Sequence, residues 1–236
     1  MNSRKKYLLK RNMGTTLIEM VVAFALLGIF LVAAASIISN VTGMYYNVKA
    51  ETYSKQVSDI VLKKVAFEIE GAEWVDVNAD NLKIISSADL SKARKNASGA
   101  DNVKEAESGV GSGVLLYDRT DSRVLLYAED DELIVHYYEI KQGTRYYNAT
   151  DWKFSDRVYN GFKVEKMDFV RGDKLDSLDE SIKETYHLTT TGTYGSNVIV
   201  VLLKLNSERY GEYYSYRFVK MYNAPDTINV SPSPAP

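Results

Sequence analysis

From Met20 to Val48 the chain carries no charged side chain. A helix of that length reaches about 43 Å, against roughly 30 Å of hydrocarbon in a bilayer, so the run predicts a membrane-crossing element before anything else is assigned. Its flank is as restrictive. Arg4, Lys5, Lys6, Lys10 and Arg11 precede Gly14 with no acid among them, and Glu19 stands at the threshold of the apolar stretch. A carboxylate driven to the centre of a bilayer costs roughly 2.5–3.5 kcal/mol, so Glu19 calls for a partner.

Three readings compete for residues 1–48. Basic residues ahead of apolar ones fit a secretory signal peptide, with Ala33-Ala34-Ala35 before Ser36 as a small-residue cleavage site. A plain signal anchor is the second, its positive leader held in the cytoplasm by the charge bias of insertion. Against the first stand Glu19, which an ordinary h-region does not carry, and the uncharged stretch continuing well past the alanines. Small residues there also let helices approach closely.

The third reading rests on residues 10–28. Lys-Arg-Asn-Met-Gly-Thr-Thr-Leu-Ile-Glu resembles the leader of type IV prepilin-like proteins, in which a membrane peptidase cuts after glycine and the new first residue is N-methylated. By that resemblance Gly14 precedes the cut and Thr15 becomes the N-terminus. Leu17 and Ile18 are the apolar pair, and Glu19 is the glutamate at the fifth mature position. The resemblance implies that Glu19 meets the freed amine of a neighbouring subunit and sets the stagger of a helical bundle. Two opposite charges in an apolar bundle are tolerable together and costly apart. Gly28 falls where many pilins have a helix-loosening glycine. Thr15 departs from the family's usual phenylalanine or methionine, which puts methylation in doubt more than cleavage.

Of the 236 residues, 45% are apolar and 25% charged, the balance of a folded protein. The formal charge is −2, and without the leader the remainder is acidic by about seven charges, which argues against nucleic acid or anionic lipid as its main ligand. No cysteine and two histidines exclude disulfides and thiolate metal sites and disfavour zinc.

No proline occurs before Pro225, so nothing obliges the first helix to stop at the membrane. Val57, Val61, Val65 and Ile69 recur every fourth residue with Ile60 beside them, while Lys55, Asp59, Lys63, Glu68 and Glu70 lie off that stripe. The organisation expected is a basic leader over 1–14, a transmembrane or filament-core helix over 15–48, and its amphipathic continuation over 49–75. Gly43 offers a bend and Gly71 an end. A β-rich head follows over 76–223, with strands at 82–85, 113–117, 123–127, 133–140, 162–170, 198–205 and 213–222, rich in Val, Ile, Leu and Tyr. Glu129-Asp130-Asp131-Glu132 reads as a hairpin turn, and Val198–Leu205 as a central strand. Residues 86–113 read as a flexible surface insertion, and the Pro-rich 224–236 as a disordered tail. Helix first and strands afterwards predict an α+β fold with an antiparallel head. That plan resembles minor pilins and pseudopilins, with the J-type component of type II secretion nearest in size.

Signals for chemistry are sparse. His136 and His187 read as strand residues, and Gly109-Val-Gly-Ser-Gly113 as a flexible loop without the lysine of a phosphate site. Asp173, Asp176 and Asp179 are weak candidates for Ca²⁺, which some pseudopilins hold in a head loop, although their spacing is not that of an EF-hand. Arg171-Gly172-Asp173 spells an adhesion tripeptide, and Asn96-Ala-Ser and Asn148-Ala-Thr fit glycosylation acceptors; both patterns are common by chance. Tyr45 and Tyr46 suit a membrane interface. Tyr210, Tyr213, Tyr214 and Tyr216 suit an alternating strand. No enzyme, cofactor or catalytic residue is expected.

The function expected is a structural subunit, a minor pilin or pseudopilin of a pilus-like or type II secretion-like filament. Its implied partners are a prepilin peptidase, other pilin subunits and, indirectly, an assembly ATPase and a membrane platform protein. Its implied place is the cytoplasmic membrane, single-pass with the head outside, and then the cell surface. A monomeric membrane-anchored adhesin is the alternative, and a secreted enzyme starting at Ser36 the third.

Overall fold

The computed structural model describes residues 16–72, 82–95, 100, 102–117, 123–138, 140–142, 145–147, 149–189, 192 and 194–222. The fold is α+β, a long N-terminal helix followed by antiparallel sheets. Helix α1 runs Leu17–Gly71 without interruption at Gly28 or Gly43. The chain divides into two compact units, Met1–Lys49 and Ala50–Pro236.

In the first unit α1 is long and apolar enough to cross a membrane, and none of its most apolar stretch is buried. In the second unit the same helix is amphipathic. Ser54, Val57, Ser58, Val61, Leu62, Val65, Ala66 and Ile69 are its buried residues, a stripe that returns every three or four positions as a 3.6-residue period requires. Leu62 fills the place that spacing alone gave to Ile60, which is 42% exposed. The reason is angular: Ile60 lies one residue short of Val61 and so points about 100° away from the stripe's axis.

The head strands are β1 (Leu82–Ile85), β2 (Val110–Gly111), β3 (Gly113–Tyr117), β4 (Arg123–Glu129), β5 (Glu132–Tyr137), β6 (Ile140–Gln142), β7 (Arg145–Tyr147), β8 (Thr150–Lys153), β9 (Lys163–Arg171), β10 (Val198–Ser207) and β11 (Gly211–Lys220). They form a five-stranded sheet in the order β1-β3-β4-β5-β8, a four-stranded sheet β11-β10-β9-β2, and a β6-β7 pair. Every pairing is antiparallel. Asp130 and Asp131, both at positive φ, make the two-residue β4–β5 turn at the predicted place. The strand predicted over 133–140 ends at Tyr137.

One core is shared by the α1 stripe and the inward faces of both large sheets. In β10, Ile199, Val201, Leu203 and Leu205 face that core, while Val200 and Leu202 join Val170, Leu175, Leu178 and Tyr186 on the other side. Both faces of β10 are therefore covered, which explains its unbroken apolar run. Opposite Lys204 and Leu205 the β9 register slips by one residue at Glu165. This bulge lets Val164, Met167 and Phe169 all face the core.

The described residues of 86–113 are packed, against the expectation of a flexible insertion. Ser86 caps helix α2 (Ser87–Ala93) by accepting from the Asp89 amide, and Ala93, Ala100 and Val103 are buried against the outer face of the five-stranded sheet. Small side chains suited this stretch to close packing as well as to a loop, and composition does not tell the two apart. The glycine-rich 109–113 is likewise no loose loop. It passes from β2 in one sheet to β3 in the other, and a Cβ on Gly111 would stand 2.2 Å from the Ile85 carbonyl oxygen. The predicted tail 224–236 lies outside the described residues.

Replacing Ile69 by alanine is expected to cost about 2–5 kcal/mol through the cavity it leaves. Ile60→Ala should stay within about 0.5 kcal/mol. Urea unfolding of the detergent-solubilised chain checks both. Gly111→Ala should destabilise by about 1–3 kcal/mol or more, because a backbone oxygen cannot move aside like a side chain. Its thermal midpoint compared with that of Gly161→Ala, where the added carbon meets no neighbour but φ is +83°, separates overlap from backbone strain.

Candidate functional site

The residues singled out for assembly sit on the first turn of α1. Gly14 and Thr15 lie outside the described residues. Leu17 and Ile18 are 84% and 71% exposed, a large apolar pair with no cover among the described residues. Glu19 does have a local partner. The Thr16 amide donates to Glu19 Oε2 at 2.8 Å, and the Glu19 amide donates to Thr16 Oγ1 at 3.3 Å. This reciprocal pair is a capping box, satisfying two of the backbone donors that a helix start leaves unmatched. The Thr-x-x-Glu spacing before an apolar run was the signal that announced it, and reading Glu19 only for its charge missed it.

Above this turn the helix offers one kind of surface. From Leu17 to Val48 Glu19 is its single charged side chain, and every Val, Leu, Ile, Met and Phe there is half or more exposed. Toward Val48 Tyr45 and Tyr46 meet edge to face at 5.9 Å, with Lys49 Nζ 5.7 Å from the Tyr45 ring. That aromatic and basic pairing is the usual furniture of a membrane–water boundary.

In the head the polar groups are engaged with one another. Glu68, expected off the buried stripe, is drawn into the seam between α1 and the five-stranded sheet. It accepts from Lys64 Nζ at 2.5 Å and from the Tyr137 hydroxyl at 2.8 Å, and Lys64 Nζ lies 4.4 Å from the Trp152 ring. Burial works to lower the Lys64 pKa, but Glu68 and then Tyr137 hold it above its ordinary value. Burial and the Glu68 carboxylate both raise Tyr137. Beside this seam a cleft of about 630 Å³ is lined by Phe67, Glu70, Leu116, Tyr117, Val124 and Tyr222 among others. On the opposite strand face, Lys204 bridges Glu165 at 2.6 Å and Glu212 at 2.8 Å, and these contacts raise its pKa.

The other sequence candidates find structural employment. His136 Nδ1 lies 2.5 Å from Asp151 Oδ1 across the β5–β8 pair, its ring against Tyr138. His187 is not in a strand. It follows helix α4 (Glu180–Thr185; α3 is Asp156–Tyr159) at φ 51°, where its amide and that of Leu188 close the helix end on Glu184 and Lys183. A non-glycine residue in that conformation carries no mark in the sequence.

Asp173, Asp176 and Asp179 do not converge. Asp173 lies in the 3-10 helix Gly172–Ser177, 3.9 Å from Arg171 Nε. Asp176 offers its carbonyl to Lys183, and Asp179 caps α4 by accepting from the Ser181 amide; the Ser181 side chain first and then that amide lower its pKa. Among the described residues no three acids, histidines or cysteines gather as a metal site. Arg171 pairs with Glu105 at 2.5 Å, and a Cβ on Gly172 would meet the Gly195 oxygen at 2.7 Å, so the adhesion tripeptide is a packing element. Asn96 and Asn148 lie outside the described residues. The tyrosines point to both faces of the four-stranded sheet, but instead of alternating between exposed and buried all four are partly buried. Tyr210 and Tyr213 pack on the main core, while Tyr214 and Tyr216 join Tyr186, Tyr194 and Phe218 on the far face.

Compared with known proteins, the chain matches no family model, no curated protein and no solved structure.

Tyr159 supplies a pH test. Its buried hydroxyl accepts from the Leu133 amide at 2.9 Å, and burial pushes its pKa up to about 12. A raised pKa contributes stability that is complete below the unfolded value near 10 and is lost as pH climbs through about 12, here about 3 kcal/mol. Tyr159→Phe should therefore lose about 1–3 kcal/mol at pH 7, from the orphaned amide, and show a flatter decline between pH 10 and 12. Denaturant titrations across that range read both effects.

Proposed function

We propose that this protein is a pilin-like structural subunit, a minor pilin or pseudopilin of a pilus-like or type II secretion-like filament. It is inserted with its head outside, cut after Gly14 by a prepilin peptidase, and assembled through its N-terminal helix. A cytoplasmic ATPase and a membrane platform protein drive that assembly. The observation that carries the reading is the uncovered apolar helix Leu17–Val48 with Glu19 as its one charge. A membrane covers such a surface while the subunit waits, and neighbouring helices cover it in a filament. Exchange between the two costs little hydrophobic energy, because lipid tails and apolar side chains are alike, so specific contacts decide it.

Glu19 is the specific contact. Its capping role is local and needs no charge; its role in register needs the charge, to meet the amine released at Thr15. The head then fixes the subunit's neighbours and position. Its engaged side chains and doubly covered central sheet support a mechanical rather than a chemical task.

Glu19→Gln separates the two roles, because glutamine keeps the capping box and removes the charge. Insertion and head folding should be unchanged, while recovery in sheared surface filaments falls about tenfold or more, the cost of leaving a buried amine unpaired. Equal incorporation of wild type and variant would reduce Glu19 to a cap and leave a tethered β-rich head. N-terminal mass spectrometry of the mature chain should find Thr15 first; an intact Met1 or a start at Ser36 overturns the processing step.

A further inference from the structure

The last turn of α1 carries acids where a helix ordinarily carries bases. Glu68 and Glu70 lie in it, just before the end at Gly71, and no basic side chain does. The C-terminal end of a helix is the negative pole of its dipole, so a carboxylate there is repelled and a cation is favoured. Lys64, one turn earlier, answers Glu68 through Nζ at 2.5 Å. Glu70 is left, half-buried and with no hydrogen bond or ion pair among the described residues.

Glu70 lines the cleft of about 630 Å³ between this helix end and the five-stranded sheet. Four aromatic rings share the lining: Phe67 on α1, Tyr117 on β3, Tyr137 on β5, and Tyr222 just past β11. Phe67 and Tyr222 are 70% and 73% exposed, so much of their ring surface is available to a ligand. The faces of such rings are electronegative and attract cations. The neighbouring wall already shows this chemistry, for Lys64 Nζ lies 4.4 Å from the Trp152 ring and 5.6 Å from that of Phe67. Arg123 stands 5.6 Å from the Tyr117 ring but does not line the cleft.

We propose that this cleft binds a small organic cation, a protonated or quaternary amine on an apolar body. Its charge meets Glu70 and the helix pole, and its body lies against the rings. The volume falls within the roughly 300–1,000 Å³ of small-molecule sites. An anion would meet the same carboxylate and the same pole, and a neutral apolar ligand would cover a carboxylate without compensating it. The chain's own continuations from this place are poor occupants by charge. Residues 73–81 and 223–236 hold Glu73, Asp76, Asp80 and Asp226 and neither lysine nor arginine, and 118–122 sets Arg119 between Asp118 and Asp121. The cleft belongs to the head alone, so the proposal needs neither a filament nor cleavage after Gly14.

Benzyltrimethylammonium, titrated calorimetrically into the full chain in a nonionic detergent, should bind saturably with a Kd of about 1 mM or tighter, and benzenesulfonate should not bind. Glu70→Gln should weaken the cation about tenfold and Tyr222→Ala about threefold. Asp59→Asn, three turns back along α1, should leave it unchanged. Without ligand, Glu70→Gln should melt no lower than the parent, because it removes an acid from a negative helix pole. Absence of saturable binding, equal affinity for the anion, or indifference to Glu70→Gln overturns the site. A lower melting temperature for Glu70→Gln makes Glu70 a structural group and overturns it as well. Tighter binding of Nα-acetyl-lysinamide than of the probe gives the cleft to a partner protein's side chain, and a tightening of the probe by Arg119→Ala gives it to the chain's own arginine; either result overturns the small cation as occupant.

Discussion

Val57, Val61, Val65 and Ile69 form the line against which the whole head is organised. Each is at most 2% exposed, and the inward side chains of both large sheets converge on them. A helix with one apolar stripe cannot be stable in water alone, and neither sheet has an inner face that its own strands can cover. The elements are therefore mutually dependent. Polar contacts then fix the pairing: Ser58 Oγ lies 2.5 Å from Ser215 Oγ on β11, and Glu68 ties α1 to Tyr137 on β5.

The same helix solves two solvation problems in succession. Up to Val48 its side chains suit a surrounding with no water, and from Ser54 onward a stripe suits a folded core on one side and water on the other. Glu19 belongs to the first regime and is made tolerable there by the capping box with Thr16. Because that box needs only one carboxylate oxygen, capping and recognition are compatible on a single residue.

The charged side chains of the head are largely paired, at the edges of sheets and at helix ends, as with Lys204 between Glu165 and Glu212, or Asp179 at the start of α4. Such contacts hold geometry.

Periodicity is local, and what is local was legible. The continuous helix, the strands β1 and β3 to the residue, the Asp130-Asp131 turn and the central place of Val198–Leu205 all follow from spacing and turn chemistry within a few neighbours. The Thr16–Glu19 cap is equally local, carried by the Thr-x-x-Glu spacing ahead of an apolar run. Other features answer to residues far along the chain. Leu62 rather than Ile60 is buried because the sheets meet α1 from one direction, and Gly111 must lack a side chain because Ile85 passes beneath it. Ala93 and Ala100 are core because β3, β4 and β5 present Leu115, Leu125 and Ile134 to them. Sequence sets which surfaces need covering, since that depends on side-chain chemistry and the repeat of the backbone. Which surface does the covering is decided only when distant segments meet, because close packing depends on the shapes of both sides at once.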